Sequence, residues 1–82
     1  MDKLEYKQGR WYLYVDSFGS HVYHITRIRR YTKTTQIQYK YWTPGSRGKA
    51  VEVFDAPYID TSAFANEITK EEALLHIVST GG

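Results

Sequence analysis

The chain contains no cysteine. That excludes a disulfide framework, a thiolate nucleophile and cysteine-ligated zinc, and fits a reducing compartment. Long apolar runs are missing too. The opening "MDKLEYKQGRWY" lacks the roughly 7 to 15 apolar residues of a signal peptide, and no stretch approaches the 18 or so that span a bilayer. The expectation is a cytoplasmic protein with no membrane partner. The third absence is local: no acid lies between Asp16 and Glu52, an interval that holds Arg27, Arg29, Arg30, Lys33, Lys40, Arg47 and Lys49.

That gap makes the chain electrically bipolar. Residues 1 to 50 carry ten Lys and Arg against three acids, a charge of +7, whereas residues 51 to 82 carry Lys70 against six acids, a charge of −5. The net charge of +2 hides this division. Such asymmetry points to an anionic partner, or to a second copy of the chain meeting basic half with acidic half. At 82 residues there is room for one small domain, residues 1–82, and little room for a deep catalytic cavity. A composition of 41% hydrophobic and 24% charged residues is that of a globular protein.

The first two thirds read as strands. "RWYLYV" alternates Trp11, Leu13 and Val15 against Arg10, Tyr12 and Tyr14, the two-residue period of a half-buried strand. "DSFGS" is a turn, and "HVYHITRIRRY" follows as a long strand rich in β-branched and aromatic residues. Its parity breaks, because Tyr23 and Ile25 share one face and Ile28 takes the other; a bulge near Thr26 and Arg27, or cover on both faces, would account for this. "TTQIQYKYW" alternates cleanly, "TPGSRG" has the Pro44-Gly45 signature of a type II turn, and "KAVEVF" is a fourth strand. Residues 55 to 68 carry mixed signals, with a short helix after Asp60 or Ser62 one option. Thr69 followed by Glu72 is a capping box opening a helix from about Lys70 to Ser79.

The fold expected is therefore α+β: a small curved antiparallel sheet of about four strands, as a meander or partly open barrel, with a C-terminal helix packed on it. The expected core is Trp11, Leu13, Val15, Ile37, Tyr39, Val51, Val53, Leu74, Ile77 and Val78.

Catalytic patterns find little support. His21 and His24 alternate faces on a strand, and His76 with Glu72 lacks a third ligand, so no metal site is expected. No nucleophile elbow accompanies the Ser, His and Asp residues. "GSRGK" is similar to the Gly-x-x-Gly loop of K-homology RNA-binding domains, but its flanks read as strands where that loop joins helices. It also departs from a nucleotide phosphate loop in glycine spacing and in having Ala50 for the hydroxyl residue. A hairpin turn explains it. The terminal "TGG" follows a helix, unlike a ubiquitin-type tail, and Gly81 suits a helix C-cap. No enzyme activity and no cofactor are expected.

What remains is "RIRRYTKTTQIQYKYW", residues 27 to 42, with five basic side chains, three tyrosines, a tryptophan and no acid. Cationic side chains beside aromatic rings are how single-stranded nucleic acids are held. The set expected to do so is Arg27, Arg29, Arg30, Lys33, Lys40, Arg47 and Lys49 for phosphates, with Tyr31 and Trp42 for stacking. If a bulge is present, Arg27, Arg29 and Tyr31 share an outer face with Lys40 and Trp42, joined by Tyr12 and Tyr14. The same residues also suit a solvated sheet face, since Tyr and Trp favour strands and Arg and Lys protect edges. They equally suit a protein-interaction module, such as a small inhibitor or adaptor of the kind mobile elements encode, because Tyr, Trp and Arg dominate interface hot spots.

Overall fold

A computed structural model describes residues 6 to 57 and 65 to 80. Five strands and one helix follow in order: β1 (Trp11–Asp16), β2 (Gly19–Arg30), β3 (Thr35–Trp42), β4 (Val51–Ala56), β5 (Asn66–Ile68) and α1 (Lys70–Thr80). They form one open antiparallel sheet in the order β4-β3-β2-β1-β5. The first four strands are a meander, and β5 returns to the free edge of β1. The fold is α+β as expected, with β5 added from the segment of mixed signals. The option of a short helix after Asp60 or Ser62, and the Gly81 cap, lie outside the described residues.

Two of the turns and the helix start have a local cause. Asp16 Oδ1 accepts from the backbone N–H of Phe18 at 2.8 Å and of Gly19 at 3.2 Å, closing the β1–β2 turn. Gly19 has a φ of 131°, and a Cβ there would stand 3.2 Å from Pro44 Cγ, so the position needs glycine twice over. In the β3–β4 connection Ser46 N–H donates to Thr43 O at 3.0 Å while Gly45 takes a φ of 81°, the type II turn read from Pro44-Gly45. At the helix start Glu72 N–H donates to Thr69 Oγ1 at 3.2 Å, and that hydroxyl lies 3.2 Å from Glu72 Oε1. The threonine half of the expected capping box is formed, and the helix begins where it was expected to.

The bulge is the feature that organises the sheet. Ile25 pairs with Tyr39 but Arg27 pairs with Gln38, so β2 carries one extra residue, Thr26. Ile28 thereby returns to the side of Ile37, while Arg27 and Arg29 face the same way as Gln38 and Gln36. The irregular backbone is satisfied by side chains: Thr26 Oγ1 donates to Gln38 O at 2.9 Å, and Ile28 N–H donates to Gln8 Oε1 at 3.0 Å. Gly9 N–H donates to Ile25 O at 2.8 Å, anchoring the N-terminal segment beside the bulge.

The core differs from the expected one. It is built on Tyr12, Tyr23, Ile25 and Ile37, closed over by Tyr6 and Ala65, with Tyr14, Ile28, Tyr39 and Tyr41 packed around it. Tyr12 is fully buried; its ring meets Tyr6 edge-on at 4.5 Å, and its hydroxyl accepts from Lys7 N–H at 2.7 Å. The phenolic tip thus finds its partner at the margin of the core, which lets a polar-ended ring serve as core. Trp11, Leu13 and Val15 lie on the opposite face. There α1 packs on β2 and β1, with Val22 and Ala73 completely buried. Val15 and Val51 are exposed on their strands, and Leu74 and Val78 are exposed because the helix docks through its small Ala73 and turns Leu74, Leu75 and Val78 outward.

Candidate functional site

The face opposite the tyrosine core has two regions. Over β1 and the first half of β2 it is occupied by α1 and by an aromatic stack in which Trp11 lies 3.9 Å from His24 and 5.8 Å from Trp42, both nearly parallel. Beyond the bulge it opens into a groove of about 200 Å³ lined by Arg27, Arg29, Gln36, Gln38, Phe54 and Asp55.

The groove collects part of the expected basic set. Arg27 and Arg29 are exposed, and neither side chain forms an ion pair or hydrogen bond among the described residues. Lys40 shares their face but lies 3.5 Å from Glu52 across the strand pair, an exposed pair of small energy that screens part of its charge. Trp42 is committed internally: its ring stacks on Trp11 and its Nε1–H donates to Gly48 O at 3.2 Å. Arg30 continues the row of Ile28 on the other side of the sheet. Tyr31 and Lys33 are exposed in the β2–β3 loop, where Tyr31 N–H donates to Thr34 O at 2.8 Å. Arg47 and Lys49 are exposed beyond the other end of β3, about 13 to 20 Å of strand from the groove glutamines at about 3.3 Å per residue. Tyr12 and Tyr14 belong to the core face, not to an outer platform.

Two of the groove residues, Phe54 and Asp55, had no signal in a one-dimensional pattern. They arise from a second register shift. Tyr39 pairs with Val53 and Ile37 with Ala56, so Phe54 and Asp55 together oppose Gln38. Both bulges therefore flank Gln38, one on each neighbouring strand.

Arg47 is the one described non-glycine residue with positive φ, at 57°. Lys49 N–H donates to Ser46 O at 3.2 Å across it. A left-handed residue that is not glycine stores about 1 to 2 kcal/mol of strain.

The two histidines of β2 have partners within the fold. His21 faces Tyr14 and His24 faces Trp11, on opposite sides as alternation requires. His21 Nε2 lies 3.1 Å from Asp16 Oδ2. Burial pushes the Asp16 carboxyl upward, but the Phe18 N–H, His21 and the Gly19 N–H outweigh it and leave the group below its ordinary value. For His24, burial comes first and the charges of Lys40 and Lys70 add to it, while a bond to the Arg10 carbonyl opposes; the net shift is downward. A depressed histidine makes the fold bind protons less readily than the unfolded chain. Stability is thus full above the unfolded value of about 6.5 and declines as pH falls through it. Urea unfolding at pH 7.5 and 5.0 is expected to show a lower midpoint at the acid end, with the difference smaller in His24→Gln. An equal difference in both proteins would mean that His24 is not its source.

Among the described residues no cluster of three or more His, Cys, Asp or Glu is placed to hold a metal ion, and no helix is long and apolar enough to cross a membrane. Comparison with protein-family models, curated protein sequences and solved structures gives no match.

Proposed function

We propose that this protein is a small, non-enzymatic nucleic-acid-binding domain that takes single-stranded or structured RNA on the outer face of its sheet beyond the β2 bulge. The observation that carries this reading is the register shift between Ile25 and Arg27, which brings two unpaired guanidinium groups onto one open face with two glutamines and a phenylalanine. Guanidinium groups supply bidentate phosphate contacts, and an exposed ring supplies a base-stacking platform. Tyr31 and Lys33 extend the surface toward the β2–β3 loop. Of the described acids of the C-terminal third, Glu67 lies on β5 and Glu71 and Glu72 on α1, none of them lining the groove, while Glu52 and Asp55 lie on β4 and Asp55 lines it.

Fluorescence anisotropy of labelled single-stranded RNA and DNA across a salt series tests the proposal with nuclease-treated protein. Binding whose log affinity falls against log salt with a slope of about −2 or steeper, at about 0.7 per phosphate, is the expected result. No binding at low salt would overturn it.

A second reading has its own observation. Leu75 and Val78 are 72% and 75% exposed on α1, and Leu74 joins them. Apolar side chains clustered on an outer helix face suit a protein partner. A stoichiometric protein in the purified preparation, without nucleic-acid absorbance, would favour it.

A further inference from the structure

The groove beyond the two bulges is more specific than a basic patch. Its volume of about 200 Å³ lies below the roughly 300 to 1,000 Å³ of pockets that enclose a whole small-molecule ligand. It suits one flat ring system entering from an extended chain. Every class of group a nucleobase needs is present at its rim: a ring to stack on in Phe54, amides able to donate and accept in Gln36 and Gln38, a carboxylate in Asp55, and cations in Arg27 and Arg29.

Asp55 is the discriminating element. It lines the same groove as two arginines, yet no ion pair joins them among the described residues. Had the carboxylate served to neutralise the arginines, it would lie within bonding distance of one of them. A carboxylate is also a poor choice for a surface that only gathers phosphates. It accepts hydrogen bonds and cannot donate, so it selects a ligand edge that presents N–H groups. Among the bases, guanine offers two adjacent donors on its Watson–Crick edge, N1–H and the N2 amino group, which match both carboxylate oxygens in a fork. Adenine and cytosine offer a single amino group beside an acceptor. Uracil and thymine offer one N–H between two carbonyl oxygens that a carboxylate repels.

We infer that the groove is a single-base subsite that prefers guanine, with the base stacked on Phe54, its Watson–Crick edge on Asp55, its remaining polar edge met by Gln36 and Gln38, and the adjoining phosphates on Arg27 and Arg29. This inference rests on the nucleic-acid reading above and deepens it. The double bulge gives the backbone reason: both register shifts meet at Gln38, and the shift on β4 brings Phe54 and Asp55 together onto the groove. Bulges are a recurrent means of re-aiming side chains at a site.

The test uses four labelled ten-residue RNAs, uridine throughout except for a single central G, A, C or U, titrated by anisotropy against the wild-type chain and against Asp55→Asn and Phe54→Leu. The wild type is expected to bind the G-containing strand about tenfold tighter than the all-uridine strand, within the range that one bidentate base contact supplies. Asp55→Asn is expected to bring the four strands within about threefold of one another, and to bind the all-uridine strand more tightly because a negative charge is gone. Phe54→Leu is expected to weaken binding of the G-containing strand about tenfold, through the lost stacking platform. Equal wild-type affinity for all four strands, with the salt slope intact, would overturn the base subsite and leave the nucleic-acid reading standing. Failure of every strand to bind would overturn both. Phe54 is 59% exposed and Asp55 is exposed, so both variants should melt with the wild type.

Discussion

Ile25→Ala is expected to cost about 2 to 5 kcal/mol, read from the urea midpoint, whereas Leu74→Ala costs less than about 0.5 kcal/mol. Ile25 is fully buried in the tyrosine cluster, and its backbone is held on both sides: its N–H donates to Arg10 O at 3.1 Å and its carbonyl accepts from Gly9 N–H at 2.8 Å. That backbone is fixed by bonds and by the adjacent bulge, so the site cannot collapse into the cavity, and the loss should fall high in the range. Leu74 is 45% exposed and leaves no cavity when shortened. In a domain whose whole stability is of the order of 5 to 10 kcal/mol, the first change approaches unfolding and the second is barely visible. If the two variants lost similar stability, the helix would be docked through its leucine face and the tyrosine cluster would not be the dominant core.

The second large effect concerns binding. Replacing Arg27 and Arg29 together by glutamine is expected to flatten the salt slope by about 1.4, since each phosphate contact to a single strand contributes about 0.7. Near 0.1 M salt the same relation gives an affinity loss of about 25-fold. Stability should hardly change, because neither arginine has a partner within the described protein and both side chains are exposed. Arg30→Gln supplies the contrast. It sits one residue further along β2 but on the row of Ile28, and its replacement should leave the slope unaltered. Equal effects from all three arginines would mean that charge alone, without the bulge, governs binding.

The contrast between Arg29 and Arg30 shows how far the pattern of residues carries. The positions of the first four strands, the type II turn at Pro44-Gly45 and the helix cap at Thr69 follow from short-range chemistry and were legible, whereas β5 was not. The bulge was one of two readings left open by the break in parity at Ile28, the other being cover on both faces; the register shift decides for one inserted residue, which returns Ile28 to the row of Ile37. The core was less legible. Tyr12, Tyr23, Tyr39 and Tyr41 compete with Trp11, Leu13 and Val15 for the inside, and hydropathy favours the second group. The decision comes from long-range partners: Tyr6 and Lys7 take the ring edge and hydroxyl of Tyr12, and the small Ala73 lets the helix settle over Val22 on the other face. The same limit applies to the site. Phe54 and Asp55 enter the groove only through a register shift between β3 and β4, and β4 alternates too weakly to reveal it. Trp42 had every mark of a stacking residue, yet Trp11 occupies its ring.

The central claim is that RNA meets the sheet on the face the β2 bulge creates. Proton–nitrogen correlation spectra of the labelled protein, recorded at low salt during titration with a ten-residue single-stranded RNA, test it most directly. The account predicts that the Nε–H signals of Arg27 and Arg29 and the side-chain amides of Gln36 and Gln38 move together with saturation, while Arg30 and the backbone of α1 stay in place. Movement confined to α1 and the β3–β4 turn, or no movement at protein concentrations where anisotropy reports binding, would contradict it.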